Sequence, residues 1–110
     1  MNTIIDNGSD LVDIEEVKPF SEEDKKCFEE LRAVLEKHGN LKRFGITLMH
    51  KHFILPDDEV LVEESDPKSN TQRIIPTKRS EVPADVTIVN WRLDKNCAMP
   101  PLCRLKLRYC

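Results

Sequence analysis

Residues 44–64, FGITLMHKHFILPDDEVLVEE, hold two apolar stretches that are separated by the sequence Pro-Asp-Asp. Pro56 has no backbone N–H to donate to a strand ladder, and the two aspartates that follow it suit a turn. We therefore predict a β-hairpin in which a strand over residues 44–55 pairs with a strand over residues 59–64. Because strand side chains alternate between faces, His50 and His52 would project from the same side of the first strand.

Before this hairpin the spacing of apolar residues indicates a helix. Ser21 can cap a helix, and the acidic residues 22–24 lie where the helix dipole favours negative charge. Phe28, Leu31 and Leu35 then recur at helical spacing, and Gly39 suits the left-handed conformation that ends many helices. We predict one amphipathic helix over residues 22–38.

The rest of the chain has the pattern of strands joined by polar loops. Residues 85–93 are rich in β-branched residues and include the single tryptophan, Trp91, which is typical of a central strand. Residues 102–109, LCRLKLRY, alternate, with Cys103 on the side expected to be buried. A short strand is expected at residues 73–75, with loops at residues 65–72 and 77–84.

These elements predict an α+β fold in which one N-terminal amphipathic helix packs on a mainly antiparallel sheet of four to five strands. A chain of 110 residues suits one domain. We expect an acidic arm over residues 1–19, extended or poorly ordered, and a single α+β domain over residues 20–110.

Charge is distributed unevenly along the chain. The net charge of −3 is the sum of −9 over residues 1–66 and +6 over residues 67–110. Such polarity indicates either a basic surface for an anionic partner or a sheet whose acidic and basic strands neutralise each other. The second interpretation agrees better with a small sheet protein.

Several classes of protein are disfavoured by the sequence. The first residues lack a signal-peptide pattern, and apolar runs are far shorter than the roughly 20 residues of a membrane helix. We expect a soluble, cytoplasmic protein without membrane contact, so the four cysteines, Cys27, Cys97, Cys103 and Cys110, are expected to be free thiols. The glycine-rich patterns of phosphate-binding loops are absent from the sequence.

The histidine pair gives the strongest chemical motif. It resembles the first motif of the cupin family, in which a glycine precedes His-x-His on a strand and a glutamate follows; the corresponding residues here are Gly45, His50, His52 and Glu59. The resemblance implies that His50, His52 and Glu59 ligate zinc, iron or manganese in an oxygenase or isomerase. The spacings differ from the family's, and no histidine follows His52. The alternative is a structural pair with one imidazole hydrogen-bonded inside the sheet.

Two further sites can be considered. A structural zinc ion would use a histidine with Cys97 and Cys103, although the tight Cys-x-x-Cys spacing is missing. Nucleic acid would bind along Arg104, Lys106 and Arg108, whose spacing suits successive phosphates but lacks an aromatic platform on the same face.

The function expected from these observations is a small intracellular protein-binding or inhibitor module without catalytic activity or cofactor. Its partner would be another protein or a second copy of the chain. The metal-dependent enzyme is the first alternative, and the nucleic-acid-binding protein is the second.

Overall fold

The computed structural model describes residues 5–104, which form two compact units. The helical unit consists of Val12–His52, and the sheet unit consists of residues 5–11 together with residues 53–104. Residues 5–11 of the predicted acidic arm therefore lie in the sheet unit, and residues 12–19 lie in the helical unit. The arm and the single domain over residues 20–110 stay predictions.

In the helical unit, a 3-10 turn at Glu22–Asp24 leads into the helix α1, Lys25–Lys37. The backbone N–H of Ser21 donates to the Asp24 carboxylate at 3.0 Å, which fixes the start of the turn. The helix predicted over residues 22–38 is confirmed, although it lies some twenty residues into the chain rather than at its N-terminus.

The end of α1 follows from the left-handed conformation of Gly39, whose φ is 70°. The N–H of Gly39 donates to the carbonyl of Glu36 at 3.0 Å, and the N–H of Asn40 donates to that of Leu35 at 2.8 Å. This pair of bonds is a Schellman motif, which satisfies carbonyl groups that the helix leaves without partners.

The sheet unit contains a mixed four-stranded sheet and a two-stranded ribbon. The strands are β1 Glu59–Asp66, β2 Thr71–Lys78, β3 Val86–Thr87, β4 Trp91–Arg92, β5 Cys97–Ala98 and β6 Leu102–Arg104. The four-stranded sheet has the order β2-β1-β6-β3, and β4 pairs with β5 in the ribbon. Among the strand pairings within residues 5–104, β1–β6 is parallel and the others are antiparallel. One helix with these two sheets confirms the α+β class.

The core of the sheet unit lies around the two central strands. Val60 and Leu102 have no exposed surface, and Val62, which pairs with Leu102, is 3% exposed. Because β1 alternates, Val60 and Val62 share its buried face. Leu102, rather than the expected Cys103, is the fully buried residue of β6.

The predicted hairpin over residues 44–64 is wrong. Residues 44–50 belong to no strand, and Lys51 forms an isolated bridge with Asp13. Strand β1 pairs instead with β2, from Glu59 opposite Lys78 to Asp66 opposite Thr71. Residues 67–70 therefore form the turn of the hairpin, within a stretch that the sequence predicted to be only a loop.

The predicted central strand over residues 85–93 is also wrong. It divides into β3, at an edge of the described sheet, and β4, in the separate ribbon. Trp91 is consequently 52% exposed. Of the strand predicted over residues 102–109, only β6 lies within the described residues.

Candidate protein-binding surface

The helical unit exposes most of its apolar residues. The structure describes all of residues 12–52, and none of these residues is buried as a whole. Eleven large apolar residues of this unit are at least 39% exposed: Val12, Ile14, Phe20, Phe28, Leu31, Val34, Leu41, Phe44, Ile46, Leu48 and Met49. We call these residues the helical-unit surface. Exposed apolar residues at this density mark surfaces that bind other molecules.

The central part of this surface is the apolar stripe of α1. Phe28, Leu31 and Val34 are 41%, 39% and 54% exposed, and their spacing of three places them on one side of the helix. Leu35 adds a half-buried side chain to the same stripe, and the exposed Cys27 lies on it one turn before Leu31. The periodicity predicted from the sequence is present, and the stripe that it forms is open to solvent.

Aromatic contacts give this surface local order. The rings of Phe20 and Phe28 lie 4.9 Å apart at an interplanar angle of 55°, so the segment before the helix contacts the stripe. The guanidinium carbon of Arg43 lies 4.9 Å from the centre of the Phe44 ring. Such contacts hold large side chains in place and reduce the entropy that a partner's binding would cost.

The histidine pair also lies in the helical unit. The rings of His50 and His52 are 5.0 Å apart and nearly perpendicular, at 87°, although no strand aligns them. His50 Nδ1 is 2.6 Å from the Leu48 carbonyl oxygen. Because a carbonyl can only accept, Nδ1 carries the proton and Nε2 is the ring nitrogen of His50 that could ligate a metal.

The third predicted ligand, Glu59, lies on β1 of the sheet unit. Within residues 5–104, no three histidine, cysteine, aspartate or glutamate side chains are arranged to hold a metal ion. The metal site predicted at His50, His52 and Glu59 therefore stays a hypothesis, and the observation that supports it is the proximity of the two histidine rings.

The cysteines of the sheet unit have different surroundings. Cys97 lies on β5 and Cys103 on β6, and both are free thiols, as is Cys27. The Cys103 thiol donates to the Glu63 carboxylate at 3.3 Å. Burial, and then the neighbouring Glu63, raise the pKa of Cys103, so its thiolate is disfavoured. The expectation that all four cysteines are free thiols stays a prediction, because Cys110 lies outside the described residues.

The predicted basic strand is described only at Arg104. Its guanidinium lies 3.4 Å from a Glu64 oxygen and 3.5 Å from an Asp85 oxygen. Arg73 also approaches Glu64, at 3.5 Å. These ion pairs agree with a sheet that neutralises its own charge. Lys106 and Arg108 lie outside the described residues.

Sequence reasoning missed an ionic cluster in the sheet unit. The side chain of Arg92 is 5% exposed and donates to both oxygens of Asp10, at 2.6 and 2.8 Å. It also donates to both oxygens of Asp94, at 2.7 and 3.1 Å. Lys95 completes the cluster by donating to Asp6 at 2.8 Å.

These contacts determine the protonation states of the cluster. Hydrogen bonds from Arg92 hold the pKa of Asp10 and of Asp94 below the ordinary value of 3.8. Lys95, through its hydrogen bond, is the main cause of the lowered pKa of Asp6. The carboxylates, first that of Asp10, raise the pKa of Arg92. All five groups are therefore charged at neutral pH.

The cluster holds the chain together rather than presenting a catalytic group. It links Asp6 and Asp10 to the ribbon, more than 80 residues away in sequence. It also borders a surface depression of about 780 Å³, which Trp91 and Leu93 line. Three carboxylates and two cations leave a net charge of −1, so the cluster does not favour an anionic ligand. The only sequence feature that pointed to this cluster was the opposite net charge of residues 1–66 and residues 67–110.

Comparison of the chain with protein-family models, with curated proteins and with solved structures finds no match. Among residues 5–104, no helix combines the length and the hydropathy that crossing a bilayer requires.

Proposed function

We propose that this protein binds another protein through the helical-unit surface. The observation that carries the proposal is that residues 12–52 form a compact unit, with an amphipathic helix, in which no residue is buried as a whole. Burial of apolar surface is the main favourable contribution to protein association. A partner that covers this surface would supply the burial that the unit lacks on its own.

The shape of α1 suits one established mode of recognition. An amphipathic helix presents its apolar side chains at spacings of three and four to a hydrophobic groove. Phe28, Leu31 and Val34 have this spacing along the 13 residues of α1. Phe20, in contact with Phe28, widens the stripe at one end.

We also propose that this binding takes place in the cytoplasm. The thiols of Cys27, Cys97 and Cys103 support this location, because free cysteines persist in reducing compartments.

Position-specific photo-crosslinking tests the proposed function. A photoreactive residue would replace Leu31 in the full chain, and the matched control would carry it at Lys26, on the opposite side of α1. In an extract of the source organism we expect a discrete crosslinked protein from position 31 and none from position 26. The crosslink should disappear when Phe28→Asp is added. Equal crosslinking from both positions, or none from position 31, would contradict the proposal.

The metal-dependent enzyme remains a second proposal because the His50 and His52 rings lie together. His50 Nε2 and the His52 ring would supply two ligands, and the chemistry would need a third group.

Nucleic-acid binding has less support, because Arg104 is already engaged by Glu64 and Asp85. We expect binding of RNA or DNA to be weak and unaffected by Arg104→Ala. If the affinity for RNA or DNA instead falls steeply as the salt concentration rises, and Arg104→Ala makes this fall less steep, nucleic-acid binding would be supported.

A further inference from the structure

We infer that the surface depression beside the ionic cluster of the sheet unit binds a free α-amino acid with a large apolar side chain. This site goes beyond the proposed function and does not depend on it. It is carried by one cation and one anion of the lining that no other described residue pairs with, and by the apolar residues next to them.

The cation is Arg79, which begins the 3-10 turn after β2 and lines the depression. Its Nε donates to the Asp57 carbonyl and its Nη1 to the Ile5 carbonyl, both at 2.8 Å. These bonds hold the guanidinium in place, but a backbone carbonyl does not neutralise its charge. Within residues 5–104, no carboxylate forms an ion pair with it. A carboxylate is the ligand that a fixed guanidinium binds best, because both oxygens can accept from its N–H groups.

The anion is Asp57, which follows Pro56 in the turn before β1. Because its carbonyl accepts from Arg79, the two residues are neighbours in the lining. Their side chains form no ion pair, and no other group of the described chain pairs with the Asp57 carboxylate. An ammonium group, with three N–H donors and a positive charge, would satisfy it.

The other charged residues of the lining, Asp6, Arg92 and Lys95, form ion pairs within the ionic cluster. Recognition of a ligand therefore falls to Arg79 and Asp57. Since these two have opposite charges, a ligand that is only anionic or only cationic would be attracted by one and repelled by the other. A zwitterion carries a carboxylate and an ammonium together, and it can pair with both residues.

Apolar side chains complete the depression. Trp91 and Leu93 line it and are 52% and 84% exposed. Its volume of about 780 Å³ lies within the range of about 300 to 1,000 Å³ of small-molecule sites, which combine apolar walls with a few charged groups. A large apolar side chain of the ligand would cover Leu93 and the exposed part of Trp91. The site should therefore prefer an apolar amino acid to a small or polar one.

Titration of the full chain with L-phenylalanine tests this inference. Trp91 is the single tryptophan of the chain and lines the depression, so its fluorescence reports on a ligand there. We expect a saturable change with half-saturation below about 1 mM, and isothermal titration calorimetry should give the same affinity. Glycine carries the same two charges without an apolar side chain, and it should bind at least about tenfold more weakly.

Two analogues test the charges of the ligand separately. N-acetyl-L-phenylalanine lacks the ammonium group, and L-phenylalanine amide lacks the carboxylate. Each should bind at least about tenfold more weakly than L-phenylalanine, because each leaves one charge of the site without a partner.

Substitutions test the charges of the site. Asp57→Asn and Arg79→Gln should each weaken L-phenylalanine at least about tenfold. The matched controls, Asp58→Asn and Arg73→Gln, remove charges from residues outside the lining and should bind like the wild type. Urea denaturation would verify that each variant folds. Should Arg79→Gln fail to fold, Asp57→Asn and the two analogues still decide the result.

Four outcomes would overturn the inference. The first is no saturable change up to about 10 mM L-phenylalanine. The second is glycine that binds as tightly as L-phenylalanine, and the third is equal affinity for L-phenylalanine and both analogues. The fourth is wild-type affinity in folded Asp57→Asn. None of these outcomes bears on the proposed function, which is tested by crosslinking from Leu31 in the helical unit.

Discussion

Replacement of Leu102 by alanine tests where the core of the sheet unit lies. Leu102 has no exposed surface and sits on β6, between β1 and β3 in the sheet. Its register partner Val62 is 3% exposed, and Val60 is fully buried on the same strand. The substitution removes three carbon atoms from a position with strands on both sides.

The expected loss in the free energy of unfolding is about 3 to 4 kcal/mol. Leucine-to-alanine changes in protein cores cost about 2 to 5 kcal/mol, which combines the lost transfer free energy with the cost of the cavity. We expect a loss near the middle of this range and not at its lower end, because paired strands on both sides of β6 limit collapse around the cavity. For a small domain with a total stability of about 5 to 15 kcal/mol, the loss is a large fraction.

Urea denaturation followed by circular dichroism would measure this loss. The matched control is Leu93→Ala, because Leu93 is 84% exposed and its truncation should change stability by no more than about 0.5 kcal/mol. In both variants the slope of the unfolding free energy against urea concentration should equal that of the wild type. A loss below about 1 kcal/mol in Leu102→Ala, or equal losses in the two variants, would refute this account of the core.

Three further predictions concern single groups. Because Arg92 lowers the pKa of Asp10, the stability that this carboxylate contributes is present above its unfolded pKa of 3.8 and is lost as the pH falls through the lower folded value. In chemical denaturation, Asp10→Asn should be less stable than the wild type at pH near 7 and should lose less on acidification below about pH 4; parallel pH curves would refute this linkage. Alkylation of Cys103 at neutral pH, followed by mass spectrometry, should be faster in Glu63→Gln than in the wild type, because Glu63 adds to the effect of burial in raising the pKa of this thiol. An unchanged rate would show that Glu63 does not influence the reactivity of Cys103. Protein purified without a histidine tag should contain no stoichiometric metal by elemental analysis, and zinc, iron or manganese lost in His52→Ala would establish the metal-dependent alternative instead.

The helix was predictable because its signals are local. Ser21 and Gly39 set its two ends by contacts with residues no more than four positions away. The apolar spacing of α1 then follows from helix geometry. What covers the stripe depends on another surface, and no pattern within residues 22–38 specifies it.

The pairing of strands was less predictable because it depends on competition between distant segments. Residues 44–55 alternate like a strand, yet β1 pairs with β2. The decisive turn contains Asn70, whose φ of 55° is left-handed, and Lys68, whose N–H donates to the Asp66 side chain at 3.0 Å. Both features suit turn residues. The sequence showed a polar loop there, but not which strands the loop would join.

The ionic cluster shows the same limit for a site. The contact of Arg92 with Asp10 spans 82 positions in the chain. The unequal charges of the two halves of the sequence predicted internal neutralisation without indicating which residues pair. Likewise, the rings of His50 and His52 lie close together as the His-x-His spacing suggested, but these residues are not part of the predicted strand.

Alkylation of Cys27 tests the proposed binding surface most directly, because this exposed residue lies on the α1 stripe, one turn before Leu31. Its rate would be measured by mass spectrometry in dilute purified protein and in an extract of the source organism, with Cys103 of the sheet unit as the internal reference. We expect Cys27 to react at least about tenfold more slowly in the extract, relative to Cys103, because a bound protein covers the stripe. An unchanged ratio of the two rates would mean that the helical-unit surface stays open to solvent, and it would contradict the proposed function.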